Sequence, residues 1–202
     1  SVYVMQGELS NQAAVQRTQD IYDVIEAGKC KVKINVIDQQ TANWSRDQAQ
    51  SLMTNWLSSG TAFDGVIANN DEMAIGAIQA LEAAGRKPGE DVMVVSIDGT
   101  RDALQAIIDG KMGVTVESSP FFGPLACETM KRYAAGETIE PWIKVEDRIF
   151  TKENAAEHID VFEHAGKFVH VLRQFARVHR HRLMVAGEFH SAGDGTHGHW
   201  IV

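Results

Sequence analysis

Four residues in the first half of the chain have side chains suited to binding a small polar molecule. They are Arg17, Trp44, Asn70 and Asp98. Guanidinium, amide and carboxylate groups present paired hydrogen-bonding atoms in a rigid plane, so each can hold two neighbouring hydroxyl groups. An indole ring can stack on a face made of C–H bonds. Together these groups would suit a ring that carries many hydroxyls, such as a sugar.

Each of these residues also has an ordinary structural interpretation when it is considered alone. Asn and Asp often cap the loops that follow strands, so Asn70 and Asp98 could be simple loop caps. A single tryptophan such as Trp44 more often packs in a core, and a single arginine such as Arg17 is usually solvated. Ligand binding is favoured only if the four side chains face a common space, and we predict that they do.

The pattern of apolar residues predicts an α/β domain with a doubly wound parallel sheet flanked by helices. Short β-branched runs alternate with helical patterns, which is typical of successive βαβ units. The predicted strands cover residues 2–6, 32–37, 65–68, 92–97 and 113–116. Because these runs are continuously apolar, we expect helices to cover both faces of the sheet.

Bounds can be predicted for three of the helices between these strands. Residues 48–57 place their apolar side chains in one stripe, and residues 102–110 repeat this pattern. A third helix is expected to begin with Asp71 as its N-cap and to end at Gly85.

The candidate binding residues lie where such a fold places its ligands, beyond the carboxyl ends of parallel strands. Asn70 and Asp98 follow two predicted strands, and Trp44 lies in the loop after a third. Arg17 belongs to the helix that follows the first strand, and Glu117 comes directly after the last. The sequence therefore predicts that polar, planar and aromatic groups converge on one edge of the sheet.

Motifs for catalysis are not recognisable in this chain. It contains neither a Walker lysine loop nor a Gly-x-Ser-x-Gly nucleophile elbow. Asp98 in the segment 98–100 could serve as a phosphoryl-accepting aspartate, but the other residues that such a site requires are not recognisable. We therefore expect no enzyme activity, no catalytic residue and no cofactor.

The chain has two cysteines, Cys30 and Cys127. Two are too few for a disulfide scaffold or a zinc site, and we interpret them as structural thiols.

Charge and hydropathy argue against two classes of partner. The net charge is −8 and the first 150 residues hold no basic cluster, which argues against a nucleic-acid partner. No apolar run approaches the roughly 20 residues that cross a bilayer, so we expect no direct membrane insertion. The chain opens at Ser1 without a basic n-region, so we see no signal peptide and interpret the chain as part of a longer protein.

Two motifs carry a resemblance to a known family. Residues 68–77 read ANNDEMAIGA and residues 94–100 read VVSIDGT. The chain resembles the sugar-binding proteins of ABC importers, of the ribose- and galactose-binding type with a type I periplasmic-binding fold. Members carry a similar Asn-Asp-Glu-Met-Ala-x-Gly segment and then an Asp-Gly-Thr turn. Gly7 with Arg17 ten residues later also matches, as does Trp44 before a charged helix start.

The resemblance implies ligand contacts for particular residues of this chain. Those matching the family's sugar contacts are Arg17, Trp44, Asn70 and Asp98. Residues 115–120 resemble the hinge crossover, so Glu117 and Ser118 become further ligand-binding candidates. The ribose-binding pattern has Gln where Ser118 stands, whereas Glu117 is similar to the galactofuranose-type subgroup. This departure argues against ribose as the ligand.

The resemblance also implies a function. A member of this family captures a monosaccharide as the substrate-binding component of an ABC importer and presents it to a membrane permease. It would act in the periplasm, or outside the cell on a lipid anchor. The alternative is the effector domain of a lactose-repressor-type regulator, which shares the fold. Such regulators usually show Asp-Asp or Asp-Asn where Asp98 and Gly99 stand.

Residues 1–159 resemble the second lobe and the crossover segments of such a protein, with the first lobe largely absent. The surface that a first lobe normally covers should then be exposed. We expect this exposure around Phe121 and Phe122, which lie in the crossover.

The composition changes near residue 160. Residues 160–202 hold seven of the eight histidines and resemble nothing in the family. Imidazole pairs can bind zinc or nickel, but the spacings here match no established site, so we expect no native metal. We interpret 160–202 as an atypical, foreign or frameshifted tail, either disordered or forming a poorly specified helix around 165–178.

Overall fold

The computed structural model describes residues 1–159, which form a six-stranded sheet and the helices around it. The strands are β1 (Val2–Gln6), β2 (Val36–Thr41), β3 (Gly65–Ala68), β4 (Met93–Asp98), β5 (Val114–Glu117) and β6 (Ile149–Phe150). The helices are α1 (Gln12–Glu26), α2 (Arg46–Ser58), α3 (Asp71–Ala83), α4 (Arg101–Ile108), α5 (Gly123–Ala134) and α6 (Ala155–His158). The tail predicted over 160–202 lies outside the described residues.

The sheet has the strand order β2-β1-β3-β4-β5-β6. Its first five strands are parallel, and β6 pairs antiparallel with β5. The chain moves one way from β1 to β2 and then returns past β1 to continue from β3 in the other direction. This reversal is the doubly wound arrangement, and it confirms the predicted fold class.

The two faces of the sheet are covered unequally. Val66, Ala68 and Val94 are buried on the face that carries α2 and α3. Ile67 and Ile97 point the other way, towards α1, and are only half-buried. Among the described residues, the expected covering of both faces is therefore complete on one face only.

The second strand was predicted too early in the chain. Residues 32–37 were expected to form it, but the strand is Val36–Thr41, and Val32 is 70% exposed. Within residues 1–159, β2 is an edge strand that pairs only with β1, so it tolerates polar residues such as Asp38. The prediction looked for a continuously apolar run, which is the pattern of a central strand.

The other predicted elements are confirmed with small shifts at their ends. β4 and β5 begin and end one residue later than predicted, and α2 extends beyond 48–57 at both ends.

Asp71 was wrongly predicted to be the N-cap of α3. Asn70 is the cap, because its Oδ1 accepts a hydrogen bond from the backbone N–H of Met73 at 3.0 Å. Gly85 lies just beyond the end of α3 with a φ of +75°, as a helix-terminating glycine does.

The segment between β5 and β6 lies apart from the core. No residue of α5 is buried. Phe121 and Phe122 are each 57% exposed, which confirms the exposure predicted for them.

Within residues 1–159, no helix combines the length and the apolar character that a membrane span requires.

Candidate ligand-binding site

Arg17 and Asp98 form an ion pair at the carboxyl edge of the sheet. Nη2 of Arg17 lies 3.1 Å from Oδ1 of Asp98, and the two side chains are 19% and 29% exposed. Nη1 of Arg17 donates to the carbonyl oxygen of Asn69 at 2.6 Å. The guanidinium therefore links α1 to the ends of β3 and β4, and two of the predicted binding residues are in direct contact.

Asp98 is held in an unusual backbone conformation. Its φ is +135°, and Gly99 follows with a φ of +76°. A residue other than glycine in such a conformation costs about 1–3 kcal/mol, and such residues cluster at binding sites and active sites. Burial raises the pKa of the Asp98 carboxyl, while the positive charge of Arg17 opposes this shift. The carboxylate is thus partly removed from water and compensated by one cation.

Trp44 places its indole beside the same guanidinium. Cζ of Arg17 lies 5.6 Å from the centroid of the Trp44 ring, within the range of a cation–π interaction. Trp44 and its neighbour Asn43 have φ values of +62° and +51°, so the loop turns sharply just before α2. Trp44 is half-buried. Its ring is therefore fixed by the loop while part of it remains exposed.

Asn70 lies at the same edge but has a second task. Its Oδ1 caps α3, so the Nδ2 group is the part of the side chain that can donate to a ligand. Its neighbour Asn69 supplies the carbonyl oxygen that accepts from Arg17. The structure thus brings the four predicted residues to one edge, and the capping role considered for Asn70 is present as well. Their contacts with a ligand stay predictions.

Glu117 faces an arginine from a distant part of the chain. Its Oε1 and Oε2 accept from Nη2 and Nε of Arg148 at 2.6 and 2.7 Å, and Glu117 is 5% exposed. These hydrogen bonds lower the pKa of Glu117. Ser118 is exposed, and its backbone N–H donates to the carbonyl oxygen of Asp98 at 3.0 Å. Both remain candidates for ligand binding, although both carboxylate oxygens of Glu117 already have a partner.

Asp71 is a central residue of the site that sequence reasoning did not identify. It is completely buried, and its carboxylate accepts from the backbone N–H of Thr100 at 2.6 Å. The hydroxyls of Ser96 and Thr115 donate to its Oδ1 at 2.5 and 2.7 Å. Burial raises its pKa, and these hydrogen bonds oppose the shift. Asp71 thus holds the turn that carries Asp98. The sequence signal that could have identified Asp71 was its position in the ANNDEMAIGA motif, but Asp71 was interpreted there only as a helix cap.

The arrangement presents donors and acceptors beside one aromatic face. Because Arg17 and Asp98 already pair with each other, a ligand hydroxyl would join an organised pair instead of separating two free charges. Such preorganisation favours recognition of several hydroxyls at once. No group of three or more His, Cys, Asp or Glu side chains able to bind a metal occurs within residues 1–159.

The chain belongs to the periplasmic binding protein family, since the profile of the periplasmic binding protein domain matches residues 1–138. A protein of Rhizobium meliloti named for rhizopine binding is 49% identical over 155 residues, covering 76% of this chain and 50% of that protein. A fructose import binding protein of Bifidobacterium longum is 38% identical over 136 residues, covering 65% of this chain and 40% of the relative.

Solved structures agree with the family assignment. An ABC transporter solute binding protein of Bacillus halodurans with bound myo-inositol has a TM-score of 0.67 and 39% identity, covering 78% of this chain and 53% of that one. The chain spans about half the length of the curated relatives it matches, or less. These similarities favour the importer interpretation over the repressor alternative.

Proposed function

We propose that this chain forms one lobe of the substrate-binding component of an ABC importer, and that this component captures a monosaccharide. The observation that carries the proposal is the Arg17–Asp98 ion pair beside Trp44, at the sheet edge where this fold binds ligands. Charged groups would hold ring hydroxyls, and the indole would cover the apolar face of the ring.

The second wall of the cleft would come from a first lobe outside this sequence. α5 supports this proposal, because an amphipathic helix with no buried residue normally has a partner. Phe121, Phe122 and Trp142 add exposed aromatic surface to the same segment, and Trp142 is 83% exposed. An apolar surface of this kind is typical of a site that another part of a protein covers.

The partner that follows from this function is a membrane permease that recognises the closed, ligand-bound form. The protein would work in the periplasm, or at the outer surface of the membrane on a lipid anchor. Ligand binding would close the two lobes, and the ligand would be released unchanged. No chemical step is assigned to any residue.

A cyclic polyol is a second candidate ligand. The solved structure with bound myo-inositol, which is a cyclic polyol, is 39% identical to this chain. A six-membered polyol ring offers the same hydroxyls and C–H face as a pyranose but lacks a ring oxygen and an anomeric carbon. The Arg17, Asp98 and Trp44 side chains would suit either class of ring.

A thermal-shift panel tests the proposal on the full-length protein that contains this chain. The panel holds pentoses, hexoses, furanose sugars and myo-inositol, and a binding protein should gain stability with few of them. A parallel assay follows the concentration of each stabilising ligand over time and should find it unchanged. Stabilisation by no member of the panel, or consumption of a ligand, would contradict the proposed function.

A further inference from the structure

Gly7 lies directly against the indole of Trp44. A Cβ atom built at position 7 would lie 2.1, 2.2 and 2.4 Å from three carbons of that ring, where ordinary contacts begin at 3.4 Å. Any side chain at this position would therefore displace the indole by about 1 Å or more. The indole is the aromatic group of the candidate site. The size of the residue at position 7 therefore determines where this group lies.

The backbone at position 7 does not itself require a glycine. Gly85 and Gly99 have φ values of +75° and +76°, where side chains are strained, whereas the φ of Gly7 lies outside this region. An alanine could adopt the backbone conformation of Gly7. The missing side chain at this position therefore serves the contact with Trp44 and not a turn.

The loop that carries Trp44 is tied to Gly7 by a hydrogen bond. Oγ1 of Thr41 donates to the carbonyl oxygen of Gly7 at 2.6 Å. The backbone of Trp44 is already in a conformation that bulky residues rarely adopt, which limits how far the loop can adjust. Arg17 lies 5.6 Å from the ring centroid as a further neighbour. The indole is thus confined by its own loop, by Gly7 and by the guanidinium.

We infer that Gly7 is a positioning residue that sets the place of the Trp44 indole, and through it the fit of the ligand ring. Its effect on affinity rests on the proposed function, whereas its effect on the indole does not. Substitution by alanine should move the ring, change the environment of Trp44 and weaken ligand binding through misplaced stacking.

Tryptophan emission tests the first part of this inference in the chain as it stands. The Trp44 component is the difference between a protein and its Trp44→Phe partner, measured in the wild-type and in the Gly7→Ala background. We expect Gly7→Ala to shift the emission maximum or the acrylamide quenching of this component. An unchanged Trp44 component would overturn the inference, whatever happens to stability.

A double-mutant cycle separates positioning from a general effect on folding. Gly7→Ala should lower Tm by about 2–8 °C in the wild type but hardly at all in a Trp44→Ala background, where the space is free. The control is Gly76→Ala, whose Cβ would meet the backbone of Arg46 at 2.2 Å and should lower Tm in both backgrounds. An equal loss from Gly7→Ala in both backgrounds would contradict the inference.

Ligand affinity is measured in the full-length protein with the ligand that stabilises it most in the panel. Gly7→Ala should weaken binding about three- to tenfold, and should add nothing to the loss caused by Trp44→Ala. Full affinity in Gly7→Ala with a displaced indole would overturn the claim about ligand fit. A wild-type protein that binds nothing would instead refute the proposed function, while the emission result would still decide the role of Gly7.

Discussion

At the scale of single residues, the two acidic side chains that organise the site are stabilised in different ways. Asp71 is buried, which raises its pKa, and the two hydroxyls and the backbone N–H that donate to its carboxylate oppose this shift. Glu117 is nearly as buried but is paired with Arg148, which lowers its pKa. The first residue organises the turn around Asp98, and the second joins β5 to the segment that returns at β6.

Removal of the Asp71 carboxylate should destabilise the fold. Asp71→Ala leaves the N–H of Thr100 and the hydroxyl of Thr115 without their acceptor. We expect a loss of about 2–3 kcal/mol in the free energy of unfolding, because unsatisfied buried donors are costly while the buried charge is relieved. Urea unfolding of the chain measures it, and the exposed Asp47→Ala control should stay within about 0.5 kcal/mol. Equal effects of the two substitutions would contradict the role given to Asp71.

The Glu117–Arg148 pair should make stability depend on pH on the acid side. Because the folded-state pKa of Glu117 lies below the ordinary 4.5, the pair stabilises the fold above that pH. This contribution is lost as the pH falls through the folded-state pKa. Glu117→Gln should cost about 1–2 kcal/mol at pH 7, a value reduced for solvent screening because Arg148 is 42% exposed.

Urea unfolding across the acid range checks this expectation. The difference between wild type and Glu117→Gln should shrink steadily below pH 4.5. Glu82→Gln is the matched control, since Glu82 pairs with Lys111 at 2.8 Å but both side chains are 41% exposed. Its cost at neutral pH should be smaller, about 0–1 kcal/mol. A difference for Glu117→Gln that stays constant with pH would show that the charge is not the cause.

The sequence could predict the edge on which the binding residues lie but not their partners. Strand ends in a parallel sheet share one edge, so Asn70 and Asp98 were placed together by topology alone. Arg148 lies 31 residues from Glu117, and no local pattern connects them. The close approach of Gly7 to Trp44 depends on the path of a loop in three dimensions, which a linear pattern does not contain.

At the scale of elements, apolar patterns located central strands well and the edge strand poorly. β3 matches its predicted residues 65–68 because it is a short, continuously apolar run in the middle of the sheet. β2 carries Asp38 and Gln40 because one of its sides has no neighbouring strand among the described residues. Its polar residues resemble those of a loop. The strand was therefore predicted at the more apolar residues 32–37, which begin with Val32.

The packing of α2 against α3 depends on one small residue. A Cβ at Gly76 would lie 2.2 Å from the carbonyl oxygen of Arg46, so the two helices approach through this position. Gly76→Ala should reduce the free energy of unfolding by about 1–3 kcal/mol, because the helices must separate. Thermal unfolding checks it, and Gly123→Ala, which meets nothing within 4 Å, is the control. A Gly76→Ala variant as stable as the control would contradict this close approach.

At the scale of the whole molecule, the described residues would form one side of the proposed binding cleft. The chain spans about half of its curated relatives or less, and α5 with Phe121 and Phe122 presents surface that no core residue covers. We therefore expect this chain alone to bind ligand far more weakly than the full-length protein, because the contacts of the proposed second wall and the exclusion of water would be missing.

The most direct test of the account is calorimetric titration of the full-length protein with its best ligand, comparing wild type with Arg17→Ala and Asp98→Ala. Each variant removes charged hydrogen bonds worth roughly 1.5–3 kcal/mol, so each should weaken binding about ten- to a hundredfold. Lys111→Ala and Glu82→Ala are matched controls, since these residues pair with each other at 2.8 Å. Glu82 lies at the carboxyl end of α3 and Lys111 just before β5, at the opposite edge of the sheet from Arg17 and Asp98. Full affinity in the controls and its loss in both site variants, with circular dichroism showing that every variant is folded, is the predicted result. Wild-type affinity in both Arg17→Ala and Asp98→Ala would contradict the assignment of the binding site.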